Sequence, residues 1–219
     1  MSVNVGAVVL AAGLSRRMGE GRAKVLLPWR AGETVIESVV SALTPHTHSV
    51  VVVCGLWHKA IEAHVTPLGA GTVYNPDYSD GEMLSSFKTG LRAMPDDVNA
   101  VLIALGDQPR LSGAIVAAVI GAYADAPGGI VAPSYQMRRG HPLLIARRYW
   151  DEFLALPADG APRNVITRHA DAIRYVMCAD DAILCDIDTP EAYALERAKA
   201  GLAPLNLLLV EKSDQPPDQ

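Results

Sequence analysis

The 219-residue sequence has few aromatics, 5% of the chain, and only three cysteines. So few rings exclude a base-stacking RNA platform. Cys54, Cys178 and Cys185 form no CxxC pair, so a disulfide framework is excluded; they read as small buried side chains in a reducing compartment. Positive charge is not in excess: 19 Lys and Arg stand against 24 Asp and Glu, for a net charge of -5. That excludes a global grip on nucleic acid or on an anionic membrane. The longest near-continuous apolar run, Ala114 to Ala124, is too short to cross a bilayer. No positive segment precedes the first apolar stretch, so the N-terminus does not read as a signal peptide. Two nucleotide motifs are also missing. Gly13 and Gly19 lie six apart with no glycine between them, which fails GxGxxG. Gly19 is followed by Glu20 and Lys24 by Val25, which fails GxxxxGK[ST]. What is there is half hydrophobic, enough for a sizeable core. A soluble, cytoplasmic globular protein of one main domain is expected, at about 150 residues per domain.

Unalternated apolar runs mark strands buried on both faces: Val5–Ala12, Val50–Cys54 and Ala100–Leu105. Shorter strands are expected at Thr72–Tyr74, Gly129–Pro133, Pro142–Ile145 and Ile173–Met177. Helices are expected over Thr34–Leu43, Trp57–His64, Met83–Ala93, Ser112–Ala124, Arg147–Leu156 and Arg163–His169. Thr189–Pro190 opens a last helix, with Thr as N-cap and Pro at the first helical position. This alternation predicts an α/β fold, a mostly parallel sheet with helices on both faces. The domain is placed at 1–200, followed by a C-terminal extension, 201–219, with a disordered end. Ligands of such sheets bind at the carboxyl ends of strands. The loops after the first and fourth strands, and the run ending at Asp188, are the places to look.

The first loop, Leu10–Ala–Ala–Gly–Leu–Ser–Arg–Arg–Met–Gly19, offers small residues whose backbone N–H groups can face an anion. Arg16, Arg17, Arg22 and Lys24 set four cations against one acid, Glu20, a combination suited to a polyphosphate. Asp107 sits where a buried strand stops, before Gln108–Pro109. A carboxylate there suits Mg²⁺, which takes one or two carboxylates plus phosphate oxygens. Ile183–Leu184–Cys185 reads as a late strand running into Asp186–Ile187–Asp188, and residues two apart on a strand share a face. His46 and His48, in H-x-H spacing, have no third ligand nearby and read as a solvated loop.

Leu10–Gly19 followed by Lys24–Val–Leu–Leu–Pro28 resembles the N-terminal signature of the nucleotidyltransferases that modify molybdopterin. Gly106–Asp–Gln–Pro109 resembles their metal-binding motif. Gly140–His–Pro142 and Asp186–Ile–Asp–Thr–Pro–Glu191 resemble later blocks of the molybdenum cofactor cytidylyltransferase branch. The resemblance runs from Val5 to about Ala198 and implies a single-domain, Rossmann-like nucleotidyltransferase fold. It implies that Gly13, Arg17 and Lys24 hold the nucleotide's triphosphate, with Ala11, Ala12 and Ser15 also in the nucleotide-binding set. It implies that Gly81 and Ser86 lie along base and ribose, and that Asp107 and Asp188 bind Mg²⁺, with Asp186 beside them. Gly140, His141 and the Arg138–Arg139 pair would border the acceptor pocket. Lys24, Arg17 and Asp107 would be the catalytic residues.

The guanylyl branch usually begins Leu-Ala-Gly-Gly, whereas this chain has Ala12. Its methyl narrows the space beside the base and favours CTP. The expected reaction is in-line attack of the terminal phosphate of molybdopterin on the α-phosphate of CTP, with pyrophosphate leaving and no covalent enzyme intermediate. Catalysis would come from positioning and charge neutralisation. The product's recipient would be a molybdenum hydroxylase or its maturation chaperone. Other expectations are a guanylyltransferase or another NTP transferase with a different phosphorylated acceptor, a nucleotide-dependent oxidoreductase on the same scaffold, and a non-catalytic delivery module. Neither nucleic acid nor membrane is expected as a partner.

Overall fold

A computed structural model describes residues 4–19, 21–79 and 83–207. Its strands are β1 (Val5–Ala11), β2 (Pro28–Arg30), β3 (Glu33–Thr34), β4 (Ser49–Cys54), β5 (Gly71–Tyr74), β6 (Ala100–Leu105), β7 (Ile130–Tyr135), β8 (Arg138–Arg139), β9 (Leu143–Ala146) and β10 (Ile173–Met177). Its α-helices are α1 (Val35–Leu43), α2 (His58–Val65), α3 (Met83–Arg92), α4 (Gly113–Asp125), α5 (Trp150–Leu154), α6 (Pro162–Arg168) and α7 (Pro190–Lys199). None of the described helices is long and apolar enough to cross a membrane.

The main sheet runs β10-β7-β9-β6-β1-β4-β5, with β8 paired onto β7. β1 is parallel to both β4 and β6, and β5 is parallel to β4. β9 runs against its neighbours β6 and β7, and the short β8 runs against β7. The central strands are apolar on both faces because both faces are covered. A Cβ at Gly90 of α3 would lie 2.3 Å from Val8, while a Cβ at Gly106 would lie 3.1 Å from both Ala11 and Ile36 of α1. Val8 and Ala11 differ by an odd number of residues, so they point to opposite faces of β1. α3 and α1 therefore pack on opposite faces. α2 and α4 pack with α1, and α5 with α3.

Local chemistry sets the helix starts. Thr34 and Glu37 form a reciprocal capping box on α1, and the Ser112 hydroxyl accepts from the Ile115 N–H at the start of α4. Thr189 caps α7 by accepting from Ala192 N–H at 3.2 Å. The expected late strand is absent. Asp181–Leu184 forms a 3₁₀ turn, because the Asp180 carboxylate accepts the Ala182 N–H at 2.8 Å and starts a helical turn.

A second, smaller apolar cluster lies outside the main core. Met18, Leu27, Trp29, Val35, Ile187 and Tyr193 form it, with Leu202 and Leu207 packed on its rim. Arg197 ties α7 to the β2–β3 hairpin by donating to the carbonyls of Pro28 (3.1 Å) and Trp29 (2.6 Å). Residues 201–207 thus return to the domain. The remainder of the expected extension lies outside the described residues, as does Gly81.

Candidate active site

From β1 the chain moves outward through β4 to β5, then crosses back to β6 on the other side of β1. Strand order reverses there, and in open α/β sheets ligands bind in the crevice at that point, at the carboxyl ends of the strands. A cavity of about 520 Å³ opens at this place, within the usual range for small-molecule sites. Ala11, Ala12, Gly13, Ser15, Arg17 and Lys24 line one side. Asp107, Asp186 and Asp188 line another, and Tyr78, Ser79, Met83 and Ser86 close the far end.

The loop after β1 is held in shape from within. Ser15 adopts a left-handed backbone conformation at φ 53°, a strained state for a residue with a side chain, costing about 1–3 kcal/mol. Its carbonyl accepts from Met18 N–H at 2.9 Å and its hydroxyl from Lys24 N–H at 3.0 Å. The Ser15 side chain therefore fixes the base of Lys24. Met18, buried in the second cluster, anchors the turn that presents Arg17. A Cβ at Gly13 would meet nothing within 4 Å. The protein leaves that space open beside the cations, a cradle of the kind an anionic group fills.

Lys24 stands between the carboxylates. Its ammonium donates to Asp107 and, at 2.8 Å, to Asp188. Arg17 donates to the other oxygen of Asp188, also at 2.8 Å. Burial alone would lower the pKa of Lys24, but Asp107 and Asp188 outweigh it and hold it above the usual lysine value. Asp107 goes the other way. Burial pushes its pKa up, and the neighbouring Asp186 and Asp188 add to that against the pull of Lys24. At Asp188 burial is overcome by Lys24 and Arg17, so its pKa falls below the usual value. Four charged groups thus neutralise one another in a partly dry cleft.

Asn75 organises the far end. It is fully buried at the end of β5, and its amide donates to the hydroxyls of Ser85 and Ser86, both at 3.0 Å. That sets the first turn of α3 against the cleft. Gly55 lets the wall close: a Cβ there would lie 2.7 Å from Tyr78 and 2.8 Å from the Ala12 carbonyl.

Ala11, Ala12, Gly13, Ser15, Arg17, Lys24, Ser86, Asp107 and Asp188 meet in this cleft, as does Asp186. Other expected residues do not reach it. His141 is absent from its lining; burial pushes its pKa down to about 4 against the opposing charge of Asp107. Arg138 and Arg139 are exposed on β8, and Arg139 lines a separate cavity of about 350 Å³ with Tyr175 and Met177. Arg22 is turned to the C-terminal segment, donating to the Leu207 carbonyl at 3.0 Å. Gly140 has a packing reason, since a Cβ there would lie 2.1 Å from the Ile183 carbonyl oxygen.

Two neighbours of Asp107 were not foreseen. Gln108, buried, donates to Asp186 at 2.6 Å. Arg110 donates to Asp181 at 2.6 Å and to Glu196 at 3.0 Å. Their adjacency to Asp107 was the only sequence signal, because long-range ion pairs leave no spacing pattern.

Cations beside an open glycine, with paired carboxylates at a switch point, are an arrangement suited to a nucleotide-handling α/β enzyme of the nucleotidyltransferase class. The chain belongs to the MobA-like NTP transferase domain family, whose model matches residues 7–173. Similar solved structures include the Rv0371c protein of Mycobacterium tuberculosis, 23% identical with a TM-score of 0.77 over 90% of this chain and 100% of that one. The same protein has been solved in complex with manganese, here 24% identical with a TM-score of 0.71 over 87% and 96% of the two chains. A nucleotidyl transferase from Methanothermobacter is 24% identical, with a TM-score of 0.76 over 90% and 98%. Molybdopterin-guanine dinucleotide biosynthesis protein A from Archaeoglobus fulgidus is 16% identical, with a TM-score of 0.66 over 90% and 98%. At these identities the likeness is one of fold. No curated protein sequence matches the chain.

Proposed function

We propose that this nucleotidyltransferase moves CMP from CTP to the terminal phosphate of molybdopterin, with Mg²⁺, and releases pyrophosphate. The observation that carries the transfer reading is the meeting of Lys24, Asp107 and Asp188 beside the open Gly13 loop. CTP is favoured by Ala12, which lines the cleft and whose methyl takes up space that a glycine would leave beside the base. Molybdopterin as acceptor follows from the motif resemblance, and a molybdenum hydroxylase or its chaperone is the corresponding recipient. Family membership supports transfer over oxidoreduction.

The donor set fits a divalent metal. Among the described residues no three His, Cys, Asp or Glu side chains cluster to hold a metal by themselves. Two carboxylates completed by substrate phosphates are how Mg²⁺ is ordinarily held. Asp107 and Asp188 would hold it, and when bound it would neutralise charge on the α-phosphate and the departing pyrophosphate. The chain's own residues do the rest. Gly13 leaves room for the phosphates, and the loop's backbone bounds them. Lys24 and Arg17, already beside the carboxylates, would offset the negative charge that develops on the phosphate oxygens. Ser86 and Tyr78 hold the nucleoside end still, so that attack is in line.

The test is thermal unfolding with Mg²⁺ and each of CTP, GTP, ATP, UTP and NADPH. A ligand at 100 times its Kd adds about 2.7 kcal/mol, several degrees in a chain of this length. A Mg²⁺-dependent shift confined to CTP is expected. A shift with GTP overturns the cytidylyl reading, and one with NADPH alone overturns the transferase mechanism.

A further inference from the structure

Asp107 and Asp188 reach the cleft from segments far apart in sequence, and three ties hold those segments together. The Ile187 N–H donates to the Asp107 carbonyl at 3.1 Å. Gln108 donates to Asp186 at 2.6 Å. The third tie is the strongest in kind. Arg110, three residues after Asp107, donates to Asp181 at 2.6 Å and to Glu196 at 3.0 Å, with Asp180 at 3.6 Å. Asp181 lies ahead of Asp188 on the 3₁₀ turn. Glu196 lies beyond it on α7, whose N-cap Thr189 adjoins Asp188. One guanidinium therefore grips the Asp186–Asp188 segment on both flanks. The grip is partly dry, with the Arg110 side chain 14% and the Glu196 side chain 5% exposed. Lys199 closes the network, donating to Asp181 at 2.6 Å and pairing with Glu196 at 2.9 Å.

We infer that Arg110 is a positioning residue that sets the separation of the Asp107 and Asp188 carboxylates, and through it the affinity for the divalent cation. The inference rests on the proposed metal-dependent transfer. Arg110 lines no part of the cleft and touches neither substrate nor metal ligand. Its planar fork reaches several carboxylates at fixed angles, which the single point charge of a lysine does not reproduce. Outer partners that orient metal ligands typically govern 10–100-fold in metal affinity.

The experiment is a Mn²⁺ titration followed by electron paramagnetic resonance, at saturating CTP, with thermal unfolding of each variant. Arg110→Met alone leaves the buried Glu196 with only the more exposed Lys199 as partner and is expected to lose stability. The double variant Arg110→Met with Glu196→Met removes both charges of the buried pair and leaves Lys199 on Asp181, so its Tm is expected to recover. Its Mn²⁺ Kd is nevertheless expected to stay about 10–100-fold weaker than wild type. Arg110→Lys, which keeps the cation, is expected to fold and to fall between the two in Mn²⁺ affinity. Recovery of wild-type Mn²⁺ affinity along with Tm in the double variant overturns the inference, because Arg110 then serves stability alone. Should neither Met variant fold, a wild-type Mn²⁺ Kd in Arg110→Lys overturns it equally. If the wild-type protein binds no Mn²⁺ with any nucleotide, it is the metal-dependent transfer reading that fails.

Discussion

Lys24→Met separates the two roles that the cleft gives this ammonium. Lys24 lies between Asp107 and Asp188, with the Lys24 and Asp107 side chains 15% and 13% exposed. Removing one partner of a buried pair costs about 3–5 kcal/mol, because the other charge is left uncompensated. The lower end applies here, since Asp188 is 35% exposed and keeps Arg17. Lys24 has a raised pKa, so its stabilisation is complete below the unfolded value of 10.5 and is lost only as pH rises through the folded value. At pH 7.5 the full loss is therefore expected, a fall in Tm of roughly 6–12 °C for about 3 kcal/mol. Millimolar Mg²⁺ without nucleotide should restore part of that Tm in the variant, since it neutralises the same carboxylates, and should move wild type little. Turnover does not follow. Loss of one preorganised donor is expected to lower kcat/KM by about 10²–10³, or 2.7–4 kcal/mol, at any Mg²⁺ concentration. Calorimetry and a pyrophosphate-release assay measure both quantities. A variant Tm indifferent to Mg²⁺, or an unchanged kcat/KM, refutes the reasoning.

His141, held neutral by burial to about pH 4 against an unfolded value of 6.5, should cost stability as pH falls through that window, because the unfolded chain takes up a proton that the folded one refuses. The loss reaches at most roughly 3 kcal/mol, and His141→Gln should flatten that part of the pH–Tm curve; parallel curves would refute it. Gly140→Ala puts a Cβ 2.1 Å from the Ile183 carbonyl and should lower stability by about 1–3 kcal/mol, as overpacking does, with a fall in kcat because Ile183 leads into Asp186; an unchanged Tm would contradict the close approach. Ala12→Gly should raise the Tm shift given by GTP relative to that by CTP, and an unaltered ratio would remove Ala12 as a determinant of base choice.

The parts of the fold legible in the sequence are those written in burial. The apolar runs at β1, β4 and β6 announced strands covered on both faces, and the Ser112 and Thr189 caps announced helix starts. Direction was not legible: Leu143–Ala146 is apolar whichever way it runs, so nothing marked β9 as a strand that runs against both its neighbours. The error at Ile183–Cys185 has a local cause. An apolar triplet favours a strand, but Asp180 offers its carboxylate to the following N–H and wins the segment for a helical turn. Asp186 and Asp188 still face one cleft, through the tie from Ile187 rather than through strand alternation. The β2–β3 hairpin went unread as well, although Gly32, at φ +75°, is the residue its turn requires. At the cleft, residue types that do chemistry were visible because they interrupt apolar runs. Gln108 and Arg110 were not, because what they do depends on partners more than seventy residues away.

The small cluster of Met18, Trp29, Ile187 and Tyr193 ties the two rims of the cleft together. Met18 carries the turn of Arg17, and Ile187 lies between Asp186 and Asp188, so the cationic and acidic rims stand on one shared footing outside the sheet. Few buried side chains stabilise that footing compared with the main core, and regions of this kind open as units of lower free energy. The amides of Met18, Ile187 and Tyr193 should therefore exchange with solvent as one group, ahead of β1 and β6. Both rims would then be lost in the same event, and a change at Trp29 would reach the chemistry without touching any group that performs it.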